Sequence, residues 1–593
     1  MTYTISENAQ NAVADTLDNL AQLELAEVEQ FIANLPPIEC AVFLIEACRC
    51  LDHIHVVQFL SNKEEAKLSI QDFDILVRGW NVLLAILLTR NAEFSGIPLR
   101  TSVPELRQAV VGMLHCAGRY VLLNRTAEMV RHDMVSSKVD GGEIKLSLSE
   151  KTLTDHFHDQ VDHRKFAELN GKALQKYRSI ALDGQASRRM RDMMGKLTFP
   201  WQTSQGVMVG YTADPEIDAY FLAAVTEDTL QWRDDAGIHP QADLGSCSGE
   251  LLTTVVHLLM SFCIKHIMFV EEALKIHPGI NQHMSLTIWK TRAELLQTLR
   301  VVTGAAVEEL AAALDMITVR RRDASFFRTE QAPGMPLLIE VSEGYLLTPV
   351  SAVFRNPLNC IRMLRESTSE SVRNAFRKHR ERWMVADLYA LFEGPRFQCA
   401  RSSTKLRRGG KVVTDVDAAI LDGATRELVL FQLKWQDFNT SNIRTQRSKA
   451  KNFRDQVENW AQKTIWWIDE FGAGALCRAL GLRSIDGREP TSVRLIAVGR
   501  SNARFRSFGY TISNDVLVLP WSQFVRLRLA IGPGQDLFQL LMKAVIQEAA
   551  APINRTPLPY VLECRGLRLV FEDIWSNLEN QNVPPVSQAL QGQ

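Results

Sequence analysis

Lys411 to Trp435 reads KVVTDVDAAILDGATRELVLFQLKW, two apolar runs interrupted by Asp415, Asp417, Gln432 and Lys434 and joined across an Asp422-Gly423 turn signal. Runs of this length and composition predict two buried strands, and side chains alternate faces along a strand. Asp415 and Asp417 therefore share a face, with Thr414, Val416, Ala418 and Ile420 on the other. Gln432 and Lys434 share a face in the same way, with Val429, Phe431, Leu433 and Trp435 opposite. A loop over Asp422 to Thr425 would set Gln432 opposite Asp415, with Asp417 on the diagonal. Desolvating two carboxylates and an ammonium is costly unless they pair or bind a cation, so the cluster reads as an ion site.

Around this hairpin the chain after residue 331 alternates strand and helix patterns. PLLIEVSEGYLLTP reads as a hairpin turning at Glu343-Gly344. Then come a helix (SESVRNAFRKHRERWMVADLYALF), the strand RFQCA, the two strands of the quoted stretch, a long helix (RTQRSKAKNFRDQVENWAQKTIWWIDE) and the strand SVRLIAVG, an α-β-β-β-α-β order. Before residue 320 apolar residues recur at helical spacing, as in LDNLAQLELAEVEQFIANLPP, and the polar, Arg-rich stretch DGQASRRMRDMMGKLTFPWQTSQG marks a break. The expected organisation is a helical subdomain over 1–185, a second over 186–330, an α/β domain over 331–580 and a disordered tail over 581–593. The fold class is an α-helical N-terminal region followed by an α/β C-terminal domain.

With 593 residues the chain needs more than one core, and its formal charge of −1 excludes any argument about partners from global charge. The N-terminus has neither a signal-peptide nor a transit-peptide pattern, and LLTTVVHLLMSFCI is too short to span a bilayer and reads as a buried helix. Ten cysteines without a CxxC pair fit reduced thiols. A cytoplasmic protein without membrane contact is expected.

Three other stretches invite a chemical reading. CRCLDHIHVV offers Cys48, Cys50, His53 and His55, but on a helix residues two apart point to nearly opposite sides, so these four cannot converge on one ion. Cys48 and His55 are expected on a buried stripe instead. TDHFHDQVDH places Asp159 and His163, and His158 and Asp162, one helical turn apart, and reads as a solvated helix start capped by Thr154 ahead of a metal site. GSCSG resembles a nucleophile elbow with Cys247 as the nucleophile but lacks the strand before it, so Ser248 is read as the cap of a helix starting at Glu250-Leu251.

Two aspartates with a carboxamide oxygen suit a hard cation, and a neighbouring lysine would orient an attacking water and stabilise charge on a phosphate. D-x-D followed by Q-L-K in an α-β-β-β-α-β order resembles the PD-(D/E)xK nuclease superfamily, in the variant with glutamine at the second acid found in Mrr-like restriction enzymes. The resemblance covers about Ser371 to Arg500. It implies a restriction-endonuclease-like αβββαβ core and a Mg²⁺- or Mn²⁺-dependent endonuclease. Asp417, Gln432 and Lys434 are its implied catalytic residues, with Asp417 and Gln432 as metal ligands. Asp415 fits an extra acid two residues upstream, and Glu381 the acid of the first core helix; no proline precedes Asp417. The resemblance also implies a nucleic-acid substrate, DNA ahead of RNA, and a place in bacterial phage defence or mobile-element maintenance.

From Arg396 to Asp455 thirteen Lys and Arg stand against six Asp and Glu, the local excess a phosphate-binding cleft requires. On the long helix Arg447, Lys449, Lys451 and Arg454 are the expected nucleic-acid contacts, with Gln446 and Lys449 near enough to reach the site. The competing reading of that run is a solvated helix face. The alternative function is a nucleic-acid-binding protein with a degenerate nuclease-like domain. The helical region is expected to serve self-association or a partner protein. No Walker A motif is present, so no ATPase motor is expected.

Overall fold

The computed structural model describes residues 7–61, 67–90, 96–175, 184–230, 237–329, 334–401, 403–435, 442–483, 488–500, 503–513, 515–531, 536–550, 553 and 555–577. The expected tail over 581–593 lies outside them. The N-terminal half is mainly helical: α1 (Glu7–Ala33), α2 (Pro37–Leu60), α3 (Ile70–Arg90), α4 (Pro104–Arg131), α5 (Glu150–Gln175), α6 (Gly184–Leu197), α7 (Pro215–Leu230) and α8 (Gly249–Ile276). Helix α8 is the one described helix long and apolar enough to cross a membrane, yet fifteen of its residues are buried, most of them in the core it shares with α2, α3 and α4. It starts where Ser248 accepts a hydrogen bond from Leu251 N at 3.1 Å, the cap read from GSCSG.

Strands also run through this half. Hairpin β1 (Val135–Asp140) and β2 (Glu143–Leu148) turns at Gly141-Gly142, and β3 (Thr198–Thr203) and β4 (Gly206–Tyr211) follow the Arg-rich helix α6. Strands β5 (Ile288–Thr291) and β6 (Thr318–Val319) join β7 (Leu338–Ser342) and β8 (Tyr345–Thr348) in a four-stranded sheet. The hairpin at Glu343-Gly344 thus packs into the core of the helical half, with Leu338, Ile339, Leu346 and Leu347 all fully buried there.

The α/β part holds a five-stranded sheet. Helix α9 (Glu370–Ala390) leads to β9 (Phe397–Cys399), then to the hairpin β10 (Thr404–Arg408) and β11 (Lys411–Val416). Next come β12 (Ala418–Asp422), β13 (Glu427–Lys434), the long helix α10 (Ile443–Ala479), β14 (Ser492–Gly499), β15 (Val516–Pro520), α11 (Trp521–Ala530) and α12 (Leu537–Ala550). The sheet order is β15-β14-β13-β12-β9, antiparallel from β9 to β13 and parallel from β13 to β15.

Alternation along the strands sorts the two faces. Ala419, Leu421, Leu428, Leu430, Leu495 and Ala497 pack against Ala450, Phe453, Val457 and Trp460 of α10. Ala418, Ile420, Val429, Phe431 and Leu433 pack against α9, α11 and α12. The C-terminal hairpin β16 (Thr556–Cys564) and β17 (Leu567–Asn577) leaves this core altogether, and β17 pairs parallel with β2. Strands from residues 135–148 and 556–577 therefore build one sheet, and the strand pairings cross the expected boundaries at 185 and 330.

Candidate functional site

Strand β12 pairs with β13 in a register that sets Ala418 against Phe431 and Leu421 against Leu428. Continued by one residue, that register sets Asp417 opposite Gln432, and Asp417 N donates to Phe431 O at 3.2 Å. The expected pairing of Gln432 with Asp415 is two residues off. The cause is the turn, which runs through Arg426 in the left-handed region at φ 60° and is closed by Arg426 N to Asp422 O at 2.8 Å. Asp422 anchors it with a two-pronged ion pair to Arg396 at 2.8 and 2.7 Å. Gly423 fits because a Cβ would meet Arg396 O at 2.7 Å. A slip of two preserves the face, so the polar residues stay together although their partners change.

Asp417 sits at the break where β11 turns away to pair with β10 and β12 enters the main sheet. Its Oδ2 accepts from Gln432 Nε2 at 2.5 Å and from Leu433 N at 2.7 Å. Burial pushes its carboxyl up to about 6; the Leu433 N–H and Lys434 oppose the shift, while Asp415 and Glu381 add to it. Lys434, Asp415 and Glu381 are thus all near enough to act on one carboxylate. Glu381 and Asp415 are exposed, Lys434 is half-buried and Gln432 is buried. Asp415 is fixed through its carbonyl, which accepts from Trp460 Nε1 of α10 at 2.8 Å.

Alternation turns Gln432 and Lys434 to the α10 face, and their neighbours on β14 are the small residues Ala497 and Gly499. The opposite face of the same sheet edge is filled. There Arg500 pairs with Asp387 at 2.8 Å and stacks over Trp435 and Trp521 at 5.1 and 4.4 Å.

The expected basic face is only partly open. Arg447 contacts His132 Nδ1 at 2.8 Å, so the first turns of α10 lean on the helical half, with Ile443 buried there. Arg454 pairs with its neighbour Asp455 at 2.6 Å and lies over the Tyr510 ring at 4.8 Å. Lys451 is exposed and Lys449 half-buried. Gln446, expected to reach the site, lines a cavity against the helical half instead.

Of the three other stretches, Cys48 and His55 are buried on α2 as expected, with His55 Nδ1 on Leu51 O at 2.8 Å. Cys50 joins a cluster that the sequence did not reveal: donor atoms of Glu46, Cys50 and His283 lie within 4.8 Å of one another. Glu46 is already held by His283 at 2.8 Å, Arg49 at 3.3 Å and Ser102, and Arg49 and Arg107 both act on Cys50. Two guanidinium groups beside a saturated carboxylate make a buried ion-pair network and oppose a second cation. The spacing of Glu46 and Cys50 was visible on α2, but His283 comes from far along the chain.

In TDHFHDQVDH, Ser149 and not Thr154 caps α5, since Thr152 N donates to Ser149 Oγ at 3.4 Å while the Thr154 hydroxyl bonds back to Glu150 O. Asp159 and Asp162 are bound by Arg504, and Asp162 also by Arg526 at 2.7 Å. Burial pushes the Cys247 thiol up to about 11, which leaves it a poor nucleophile.

No protein-family model matches this chain, and neither a curated protein nor a solved structure matches it.

Proposed function

We propose that the chain is a metal-dependent endonuclease whose restriction-endonuclease-like αβββαβ core runs from α9 to β14. One observation carries the reading: a half-buried carboxylate, Asp417, faces Gln432 across two strands, with Lys434 on the same sheet face and Asp415 and Glu381 close enough to raise its pKa. Asp415 and Glu381 add negative charge at the Asp417 carboxylate that Lys434 only partly offsets, and a hard divalent cation would relieve that excess. Asp417 and Gln432 would hold Mg²⁺ or Mn²⁺, assisted by Asp415 or Glu381. Such an ion, when bound, supplies an acidified water and neutralises charge on the scissile phosphate. Lys434 places its ammonium beside that charge, and Gln432, turned so that its carbonyl faces the site, completes the donor set. The substrate is nucleic acid, DNA ahead of RNA, and the setting cytoplasmic, in phage defence or mobile-element maintenance.

A second reading has its own support. Gln432 donates to Asp417 at 2.5 Å, so the carboxylate has an internal partner and the fold can persist without an ion. A nucleic-acid-binding domain with decayed chemistry would have that arrangement. Incubating the full chain with plasmid, linear DNA and RNA, each with Mg²⁺, with Mn²⁺ and with EDTA, separates the two. Cleavage dependent on the ion is the expected result; binding without cleavage under every condition would leave the second reading standing.

A further inference from the structure

A cavity of about 680 Å³ lies where α3, α4 and α5 meet the start of α10, the segment 504–508 and the C-terminal hairpin. The proposed chemistry does not use it. Three arginines line it, and two are matched: Arg78 by Asp74 at 2.7 Å, Arg504 by Asp159 and Asp162. Arg125 makes no hydrogen bond or ion pair among the described residues. Burial and the repulsion of Arg78 pull its pKa down to about 10, only partly offset by Asp74.

Nor can the acids of the wall turn to it cheaply. Asp74 also accepts from Trp575 Nε1 at 3.1 Å, Asp155 accepts from Ser507 N at 2.8 Å, and Asp159 belongs to Arg504. A half-buried guanidinium whose nearest carboxylate is committed to other donors can take an anion, and its place on the wall of a cavity is simplest to explain if a ligand brings one. The remaining wall says what else that ligand carries. Phe73, Phe508 and Trp575 present aromatic surface, and Gln160, Gln446 and Ser576 offer amide and hydroxyl groups. The volume falls within the usual range for small-molecule sites, which are mostly apolar with a few placed polar groups.

We propose that this cavity binds a nucleoside monophosphate unit, its phosphate on Arg125 and its base against the aromatic wall. An anion joined to a flat ring with a hydrogen-bonding edge matches the three kinds of surface present. The unit can arrive as a free nucleotide or as the 5′-phosphorylated end of a nucleic acid; the chemistry is shared. Binding at this cavity can be measured without cleavage and so stands apart from the nuclease reading.

The test is calorimetric titration of the full chain with the free 5′-monophosphates, the matching nucleosides, and short oligonucleotides with and without a 5′-phosphate. At least one phosphorylated probe should bind at one site per chain, and which probe does so identifies the source. Arg125→Gln should weaken that binding roughly 10- to 100-fold, the scale of removing one charge-assisted hydrogen bond. The same substitution should leave the melting temperature of the unliganded protein unchanged or higher, since it removes an uncompensated charge. Failure of every phosphorylated probe to bind would overturn the proposal, as would equal affinity for nucleoside and monophosphate, or undiminished affinity in Arg125→Gln. A lowered melting temperature in that variant would overturn it too, by making Arg125 a structural residue.

Discussion

Two regions of this molecule bury acids beside basic residues, and they do so to opposite effect. On α5, Asp159 and Asp162 meet Arg504 and Arg526, and Arg526 goes on to Glu548 at 2.6 Å. Burial alone would lower the pKa of both guanidinium groups, yet the acids around them raise it above the ordinary value, so charge there is matched on all sides. At the β12–β13 edge the reverse holds. Asp417 has an amide, one backbone N–H and a half-buried lysine against desolvation and two further acids, and its carboxyl is pushed up to about 6. Matched burial joins elements of the fold; unmatched burial marks a candidate functional site.

The largest effect should come from breaking the unmatched site. Asp417→Ala and Lys434→Ala should each lower cleavage by at least about 100-fold, the scale of removing an acid–base or electrostatic contribution, with little change in the unfolding midpoint. Initial rates on plasmid, alongside circular dichroism, measure both. Full activity in Lys434→Ala would remove the lysine from the chemistry. Gln432→Glu should be tolerated or should tighten metal binding, since it adds a charged oxygen ligand to the set.

Breaking the matched cluster should do the opposite. Asp162→Ala takes one of two carboxylate partners from each of Arg526 and Arg504, leaving Glu548 and Asp159, and should cost about 2 kcal/mol of stability, below the cost of a fully broken buried pair. Urea unfolding should show it, while activity per folded molecule stays at the wild-type level. If both variants lose the same property, the distinction between the two clusters fails.

Titration sharpens the contrast further. Asp417 has a folded pKa of about 6 against an ordinary value of 3.8, so the folded state binds its proton more tightly than the unfolded chain does. Its ionised form therefore destabilises the fold near neutral pH, and that penalty fades as pH falls from about 6 toward about 4. Asp417→Asn should accordingly be more stable than the wild type near neutral pH, by about 1 kcal/mol for a partly screened site, and the gap should close near pH 4. A variant less stable than the wild type at neutral pH would show that the carboxylate holds the hairpin together.

How much of this was legible in the sequence depends on the range of the interaction. The faces of β12 and β13 follow from alternation, and the inward side of α10 follows from helical spacing, because both are local periodicities. The register was not legible, since it depended on Arg426 adopting a left-handed conformation that favours glycine or asparagine. The β1–β2 hairpin carried a visible signal, Asp140-Gly141-Gly142-Glu143, that the surrounding helical periodicity obscured. The parallel pairing of β2 with β17 carried none, because nothing near Leu146 encodes Phe571. The same holds for the cation at Arg447, whose hydrogen bond with His132 bridges two parts of the molecule distant in sequence.

That bridge sets the smallest effect. Arg447, Lys451 and Arg454 replaced together by Gln should flatten the salt dependence of duplex binding by about 0.9 log units for each phosphate no longer neutralised. Three free cations would give the full sum, but Arg454 is drawn to Asp455 and Arg447 is engaged by His132, while Lys451 stands exposed to solvent. The expected change is therefore nearer one phosphate than three, and sequence preference should not alter, because side chains on this face can follow a backbone but are badly placed to read base edges. Binding measured from low to moderate salt decides it. A change on the scale of three phosphates would mean that nucleic acid displaces the partners of Arg447 and Arg454. An unchanged slope would make the face a solvated one and move the search to Ser187–Lys196 on α6, where the basic residues gather beside the β3–β4 hairpin.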